Sequence, residues 1–552
     1  MASFTRQIGS ESGVQLNPLN DNSEISASDN QDQVFAILMR ATRGRIDKPF
    51  LVNRGNVYRK LGNGEQMRVS QLNEAWVHVV EALDSGAYSA VVQRLITSAY
   101  EIKYATAKYK PDVTELGSKK TASKSVVFSV DKDAPNGDFI VSVRHLECHN
   151  DGIKIEIHAD EKKIGGVAVA NDRVTLRLFD SADVRLYEFT GSLDPAAKDD
   201  YGNSAYLPDV VSLQTDTVEI ETGVKSVDPL SVFYGYDDNS KPNTVKSEVL
   251  VCFTEGGMAY TTKDYLTGRE NLQYTPLNYS YIAAGGTKAP ALLSQLATLA
   301  FETNRQLKFD VPSELDEEAA IAFVEQLNFG ASQTAHLLHA FWSPLKSNDP
   351  TGINPSGFFG VATLNIAMAC GRNARVDDKG FAPKNYPIAG REWPIRRTRI
   401  IQTRTPRGPE LNALARAKIN PVLYETYTGG GRYVFLDSLT SAMVESSLKK
   451  LISVADMSTS VDDTVTRVAK DNLQLPMAVS IKRTRDFLAT YFEGAQAAGW
   501  IVPSDDPAMG GAAWSFDVRP DSVRPYDRMQ VSYSLRYDGT NRQTFVTHTL
   551  SR

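Results

Sequence analysis

What most limits the folds open to this 552-residue chain is a hydrophobic rhythm that changes twice. From residue 34, apolar runs of strand length alternate with segments of helical period. Residues 34–39 read as a buried strand, 48–52 as a second, 74–83 as an amphipathic helix ended near Gly86, and 89–95 as another strand. Strands separated by helices imply an α/β layer. Between 113 and 275 the rhythm becomes short alternating runs punctuated by turn residues, the pattern of an antiparallel sheet or barrel. At 276 the first rhythm returns. The expected fold is therefore α/β (α+β multidomain). Its core is drawn from 34–112, from 276–410 with a long Arg-rich loop, and from 411–538. An antiparallel all-β domain is inserted at 113–275, and 1–33 and 539–552 form extended terminal β arms.

In the second α/β stretch, 279–283 predicts a strand, 290–303 a helix with Leu292, Leu296, Leu299 and Ala300 on one face, and 307–311 a strand. Ser313, with Asp316 three residues on, predicts a helix start followed by Ala320, Val324 and Leu327 on its apolar face. Residues 336–342 make the next strand, and right-handed crossovers would order these strands in parallel. A small-residue helix at 357–370 closes at Gly371. Residues 372–410 show no period, and a loop of that length is normally functional or interfacial. It carries Arg391, Arg396, Arg397, Arg399, Arg404 and Arg407, which in an acidic chain favour a subunit contact. Then come strands at 419–425 and 432–436 around a Gly429–Gly431 turn, helices at 448–455, 461–469 and 479–498, and β structure at 514–518, 530–537 and 544–550.

Inside the insert, Asp151–Gly152 suits a type I′ hairpin. It would place Leu146, Cys148, Ile153, Ile155 and Ile157 on one face, and His145, Glu147, His149, Lys154, Glu156 and His158 on the other. A second hairpin at Asn171–Asp172 would pair Val169 with Val174 and Val167 with Leu176. In the first register His145 lies across from His158 with Glu147 and Glu156 beside them, which are donor types for a divalent metal. A solvated polar face explains the same residues more simply, so no metal is expected there. His336 and His339, placed on a strand, point to opposite faces and share no ion.

The chain carries no P-loop, nucleophile-elbow, metalloprotease or EF-hand spacing, and its glycine clusters (Gly62–Asn63–Gly64 and Gly429–Gly431) read as turns. We expect no catalytic residue and no cofactor. A net charge of -6 opposes a nucleic-acid coat, which needs surplus Lys and Arg, so no direct nucleic-acid contact is expected. Cys148, Cys252 and Cys370 are odd in number and far apart, which gives no disulfide framework and fits a reducing compartment. Residues 1–12 lack the apolar core of a signal peptide, and the apolar stretch 360–370 is too short to cross a bilayer, so membrane insertion is not expected.

The termini point toward other copies of the chain. Residues 1–33 are too polar to fold alone, with Val14, Leu16, Leu19 and Ile25 as their few anchors. At the other end Met529, Val531, Tyr533, Leu535 and Tyr537 alternate, Asp538–Gly539 turns, and Val546 and Leu550 share one face of a last strand. A polar arm at one end and a bare strand at the other suit strand exchange between subunits.

Seven segments in order, beginning with AILMRATRGRIDKPFLVN at 36–53, YRKLGNG at 58–64 and ALDSGAYSAVVQRL at 82–95, resemble the contractile tail sheath family of phages, pyocins and type VI secretion systems. The others are 278–312, 339–371 with its Pro-Ser-Gly loop, 380–390, and 411–440 with its Leu-Asn, Ile-Asn-Pro and Gly-rich series. The resemblance lies in order and spacing and covers most of 34–112 and 276–552. Two departures stand out. Residues 434–438 read Val-Phe-Leu-Asp-Ser where the family usually has a Trp-Gly-Ala-Arg-Thr type of stretch, and 113–275 matches no named domain and reads as outward-facing decoration.

The resemblance implies a structural subunit that stacks in rings around a tail tube and links to its neighbours through strand-adding arms. Contraction of the cylinder would drive the tube through the host cell envelope, delivering a genome or an effector. The implied partners are other copies of the chain, the tail tube protein, and baseplate and tail-terminator or neck proteins. The implied location is the virion tail, assembled in the host cytoplasm. A helix starting near Val479 would face the tube with Lys482, Arg483 and Arg485. The rival readings are a virion-associated hydrolase, whose carboxylates need no motif, and a baseplate structural component.

Overall fold

Val34–Met39 is an unbroken apolar strand with every residue buried, which marks a parallel sheet covered on both faces. The computed structural model describes residues 31–116, 119–137, 139–159, 163–164, 167–168, 173–223 and 244–549. It places this strand third in an eight-stranded sheet. The order is Phe50–Asn53, Ser89–Arg94, Val34–Met39, Tyr281–Ala283, Gln306–Val311, Leu338–Trp342, Ile419–Tyr427 and Gly430–Phe435. The inner pairings are all parallel, and the two edge strands run antiparallel. Strands from all three expected core stretches thus lie in one sheet.

The period of two survives inside the apolar runs and assigns each face. Phe35, Ile37, Val92, Tyr281, Phe341 and Phe435 point toward helices Glu74–Ser85 and Ala362–Asn373. Val34, Ala36, Leu38, Ile282, Leu307 and Trp342 point the other way. There Thr262–Gln273, Pro290–Thr303, Glu317–Leu327 and Leu414 of Gly408–Arg416 cover them. The first pair of helices meets closely because Gly86, at φ +135°, brings its backbone onto the second helix, where a Cβ would lie 2.8 Å from the Ala367 carbonyl.

Several elements differ from the sequence expectation. The small-residue helix runs Ala362–Asn373, so Gly371 lies within it against Gly86 and does not close it. Asp316, not Ser313, caps the next-described helix, accepting from the Ala319 amide at 2.9 Å, because Pro312–Leu315 closes a turn first. The helices expected at 448–455 and 461–469 are one helix, Ile452–Asp471. Its Ser458 and Thr459 hydroxyls bond back to the Ala455 carbonyl, so the polar run that reads as a break continues the helix. Residues 335–337 form a 3-10 turn ahead of the strand Leu338–Trp342, and His339 Nε2 donates to the His336 carbonyl.

The inserted region is antiparallel. One four-stranded sheet has the order Arg185–Gly191, Val174–Asp180, Ile153–Ala159, Thr244–Lys246. The other runs Val218–Thr222, Val141–His145, Tyr104–Leu116, Lys119–Asp131, and the two share one apolar cluster. Its neck is the short pairing of Glu101–Ile102 with Phe253–Thr254. β pairing therefore starts before residue 113, and helix Thr262–Gln273, short of 276, packs Tyr265 and Leu272 on the central sheet.

The Asp151–Gly152 turn does not make the expected hairpin, since Val141–His145 and Ile153–Ala159 belong to different sheets. His145, Glu147 and His149, which alternation puts on one side, are buried in the turn that replaces the hairpin, where Cys148 sits at φ +48°. His158 stays on the other sheet, paired with Thr244, so the pair of histidines read from the hairpin does not form. Val167–Ala168 pairs with Lys163–Ile164, and Leu176 with Ile157 and Phe189, in place of the second hairpin. Residues 169–172 lie outside the described ones.

Candidate assembly surfaces

The C-terminal unit begins where Ile452–Asp471 leaves the central sheet. This helix and Met477–Ala497 bury Met457, Val461, Leu488 and Phe492. On them lies an antiparallel ribbon, Trp514–Pro520 with Met529–Leu535. Alternation sets its faces. Trp514, Phe516 and Tyr533 surround the Phe492 ring at centroid distances of 5.9, 6.2 and 5.7 Å. Ser515, Asp517, Arg519, Gln530, Ser532 and Ser534 are exposed. The ribbon has two strands, and among the described residues no further strand joins it; beyond Leu535 an isolated bridge pairs Tyr537 with Ile501.

Past the ribbon, the Asp538 amide donates to the Trp500 carbonyl at 3.0 Å, and the Arg542 Nε to Asp437 at 2.8 Å. No strand forms over 538–549, where 544–550 was expected to form one. A strand needs a partner edge, and among the described residues none pairs with the segment. Phe545 and Val546 are 92% and 88% exposed. Leu550, and the N-terminal anchors Val14, Leu16, Leu19 and Ile25, lie outside the described residues.

The point where the N-terminal segment enters the core is firmly held. Asp32 accepts from Ser280 Oγ at 3.1 Å, its carbonyl accepts from Asn373 Nδ2 at 2.9 Å, and it pairs with the buried Lys384 at 3.0 Å. Behind it lies a buried polar network. Arg372 Nη2 meets Asp456 Oδ2 at 2.8 Å, and both side chains are at most 2% exposed. The Tyr281 hydroxyl donates to the other Asp456 oxygen at 3.2 Å and accepts from Asn373 at 2.9 Å. Lys308 Nζ donates to Asn365 at 2.8 Å. Burial alone would raise the Asp456 carboxyl, but the Arg372 and Lys308 charges outweigh it and hold the group at about 2. Burial lowers the Lys308 ammonium to about 8. This network escaped the sequence reading. The available signal was charge where only core is expected: Lys308 and Asp310 within the strand Gln306–Val311 and Asp456 between Ala455 and Met457.

Other candidate residues are dispersed. Lys482 and Arg483 are exposed on the helix Met477–Ala497, while Arg485 donates twice to the Val518 carbonyl, at 3.1 and 2.6 Å, and ties the ribbon to the helix. Of the six loop arginines, Arg397 is internal. Its guanidinium makes a bidentate pair with Glu81 at 2.7 and 2.6 Å and donates to the Phe359 and Gly360 carbonyls. It therefore serves the core and offers no subunit contact, whereas Arg391, Arg396, Arg399, Arg404 and Arg407 are exposed. Three earlier arginines form a socket for the insert: Arg40 bonds Glu255, Arg43 bonds Asp151 and Asp180, and Arg45 bonds Asp216. Among the described residues no helix is long and apolar enough to cross a membrane.

No family model matches the chain, and no curated protein matches it. Solved structures do. A sheath tail protein from Listeria innocua superposes with a TM-score of 0.50 at 12% identity, over 91% of this chain and 94% of its own. One from Desulfitobacterium hafniense gives 0.47 at 13% identity, over 94% and 99%. The sheath complex of an extracellular contractile injection system (PVC) in its contracted state gives 0.39 at 12%, over 58% and 78%. The mixed α/β fold of this chain is thus that of the Listeria sheath tail protein, in line with the resemblance read from the sequence.

Proposed function

We propose that this chain is the sheath subunit of a contractile tail or a related injection machine. It is a structural protein that polymerises around a tail tube and contracts to drive it through an envelope. The observation that carries the reading is the C-terminal ribbon, which no third strand joins among the described residues and which is followed by a tail whose Phe545 and Val546 stand in solvent. A two-stranded ribbon is marginal on its own, and open edges favour pairing with another chain. The sheath-tail-protein fold supports the same reading. In it, residues 1–33, through Val14, Leu16, Leu19 and Ile25, and residues 539–552, through Val546 and Leu550, add strands to neighbouring copies. Asp32, fixed by Ser280, Asn373 and Lys384, is where pull on the N-terminal arm enters the core. Contraction is then a bistable rearrangement of a lattice whose subunits stay linked. Baseplate and terminator proteins would close its ends, in a virion tail assembled in the host cytoplasm.

The purified full chain should form cylinders in negative-stain images, and a chain lacking residues 1–25 should stay folded and soluble without forming them. A full chain that remains monomeric at high concentration overturns the sheath reading. A deleted chain that still builds cylinders of normal length and salt resistance overturns strand exchange. For the tube-facing surface the test is Lys482→Glu with Arg483→Glu, leaving Arg485 to hold Val518. Co-assembly with the tube at low salt should fall, and normal co-assembly would move the tube contact elsewhere.

A further inference from the structure

The junction between the insert and the central sheet holds three buried donors whose roles the assembly reading does not explain. His145 ends the strand Val141–His145, and Glu147 and His149 follow on the turn that carries the chain into the second sheet of the insert. They are 2%, 5% and 3% exposed. One ligand atom from each lies within 4.8 Å of the other two. His145 Nε2 stands 3.6 Å from Glu147 Oε2, beyond hydrogen-bond reach, and the two imidazoles meet edge to face at 4.7 Å between centroids. Buried polar atoms normally find partners, yet His145 Nε2 and both ring nitrogens of His149 have none.

We propose that His145, Glu147 and His149 bind a divalent transition ion of the zinc type. Two imidazoles and one carboxylate suit zinc or cobalt far better than magnesium or calcium, which take oxygen ligands. Tetrahedral zinc, with bonds of about 2.0–2.1 Å, holds its ligands roughly 3.3 Å apart, close to the separation of the His145 and Glu147 atoms. The neighbouring cations leave room for the ion's charge. Arg43 is engaged by Asp151 and Asp180. Lys60 approaches the other Glu147 oxygen, Oε1, at 3.7 Å and leaves Oε2 toward the histidines.

The position gives the ion a task. The Gly44 amide donates to the Glu147 carbonyl at 2.7 Å and the Asn150 amide to the Thr42 carbonyl at 3.0 Å, so the turn is also the seam with the first core loop. An ion here would stiffen the turn through which the insert meets that loop. Alternation already puts 145, 147 and 149 on one side; what the sequence conceals is that this side is buried, because the expected hairpin would leave it in solvent.

The test uses the full-length chain without an affinity tag, stripped with a chelator, equilibrated with micromolar Zn²⁺ and passed through gel filtration before elemental analysis. One zinc per chain should remain, and the melting temperature should rise with zinc and return when the chelator is restored. His149→Gln and Glu147→Gln should each abolish retention. X-ray absorption of the zinc-loaded wild-type chain supplies a readout independent of how the variants fold, and should show nitrogen and oxygen neighbours with imidazole scattering. A folded wild-type chain that retains no zinc, variants that retain as much as wild type, or a metal shell without imidazole overturns the proposal.

Discussion

The central sheet and the C-terminal ribbon are both β structure laid on helices, yet one is closed and the other open. In the sheet, helices cover both faces, and charges that enter the interior are paired there, as Arg372 and Asp456 are at 2.8 Å. In the ribbon, one face packs on Phe492, the other carries serines and charges, and no described strand pairs with either edge. A chain divided in this way folds on its sheet and presents its ribbon. Stability and assembly should then separate when each region is altered.

The largest loss of stability should follow Asp456→Ala. It leaves the buried Arg372 guanidinium with only Asn373 and the carbonyls of Lys384 and Tyr386. Removing one member of a buried ion pair costs about 3–5 kcal/mol, read as a lower urea midpoint. The same residue makes a pH signature. In the folded chain Asp456 stays ionised down to about 2, against an ordinary 3.8, so the unfolded chain takes up its proton first as pH falls. The stabilisation is complete above about pH 4 and is lost as the pH falls toward 2. The variant should show a flatter stability curve across that window, and an unchanged curve would mean that Asp456 is not the group responsible.

A smaller effect is expected from excising the insert above its neck by joining Lys103 to Cys252, whose carbonyl already accepts the Lys103 amide at 2.7 Å. Glu255 remains to hold Arg40 and Arg94. Arg43 and Arg45 lose Asp151 and Asp216, which are well exposed and whose pairs contribute about 0.2–1 kcal/mol each, while the buried Asp180 leaves together with the insert that covers Arg43. The shortened chain should melt cooperatively within about 1–3 kcal/mol of the parent by circular dichroism. If it folds yet forms no cylinders, the insert belongs to the lattice.

The sheet could be read from the sequence because hydrophobic period is a local property. Residues 34–39, 290–303 and 419–425 announce their own state whatever they touch. What could not be read depends on distant partners or on single dihedrals. Asp32 is held by residues 280, 373 and 384, three segments with no shared pattern. Arg397 sits in an aperiodic, Arg-rich loop that suggests a surface, and only the fold brings Glu81 to it. The turn that replaces the expected hairpin, with Cys148 at φ +48°, buries three donors that the expected register kept on a solvated face. Val546 presents the opposite case. Alternation gives its period, but whether it pairs depends on another chain.

The smallest change in stability, with the sharpest consequence, should come from ending the chain after Gly539. The segment removed contributes little to the isolated subunit. Ser453 to Thr540 at 3.3 Å is a long contact, the Arg542–Asp437 pair lies at the surface, and Phe545 and Val546 bury almost nothing. An exposed ion pair and a few surface residues together amount to about 0.2–1 kcal/mol, so the melting temperature should barely move. The ribbon also keeps its last internal tie, since the Asp538 amide still meets the Trp500 carbonyl. If the tail exists to complete a neighbour's sheet, this near-neutral truncation should abolish cylinders as completely as loss of the N-terminal arm. Arg542→Ala, which only frees the tail from Asp437, should leave them intact. Truncated subunits that assemble normally would show that the ribbon's open edges are filled by something other than this tail, and the contrast between a closed sheet and an open ribbon would no longer mark where subunits join.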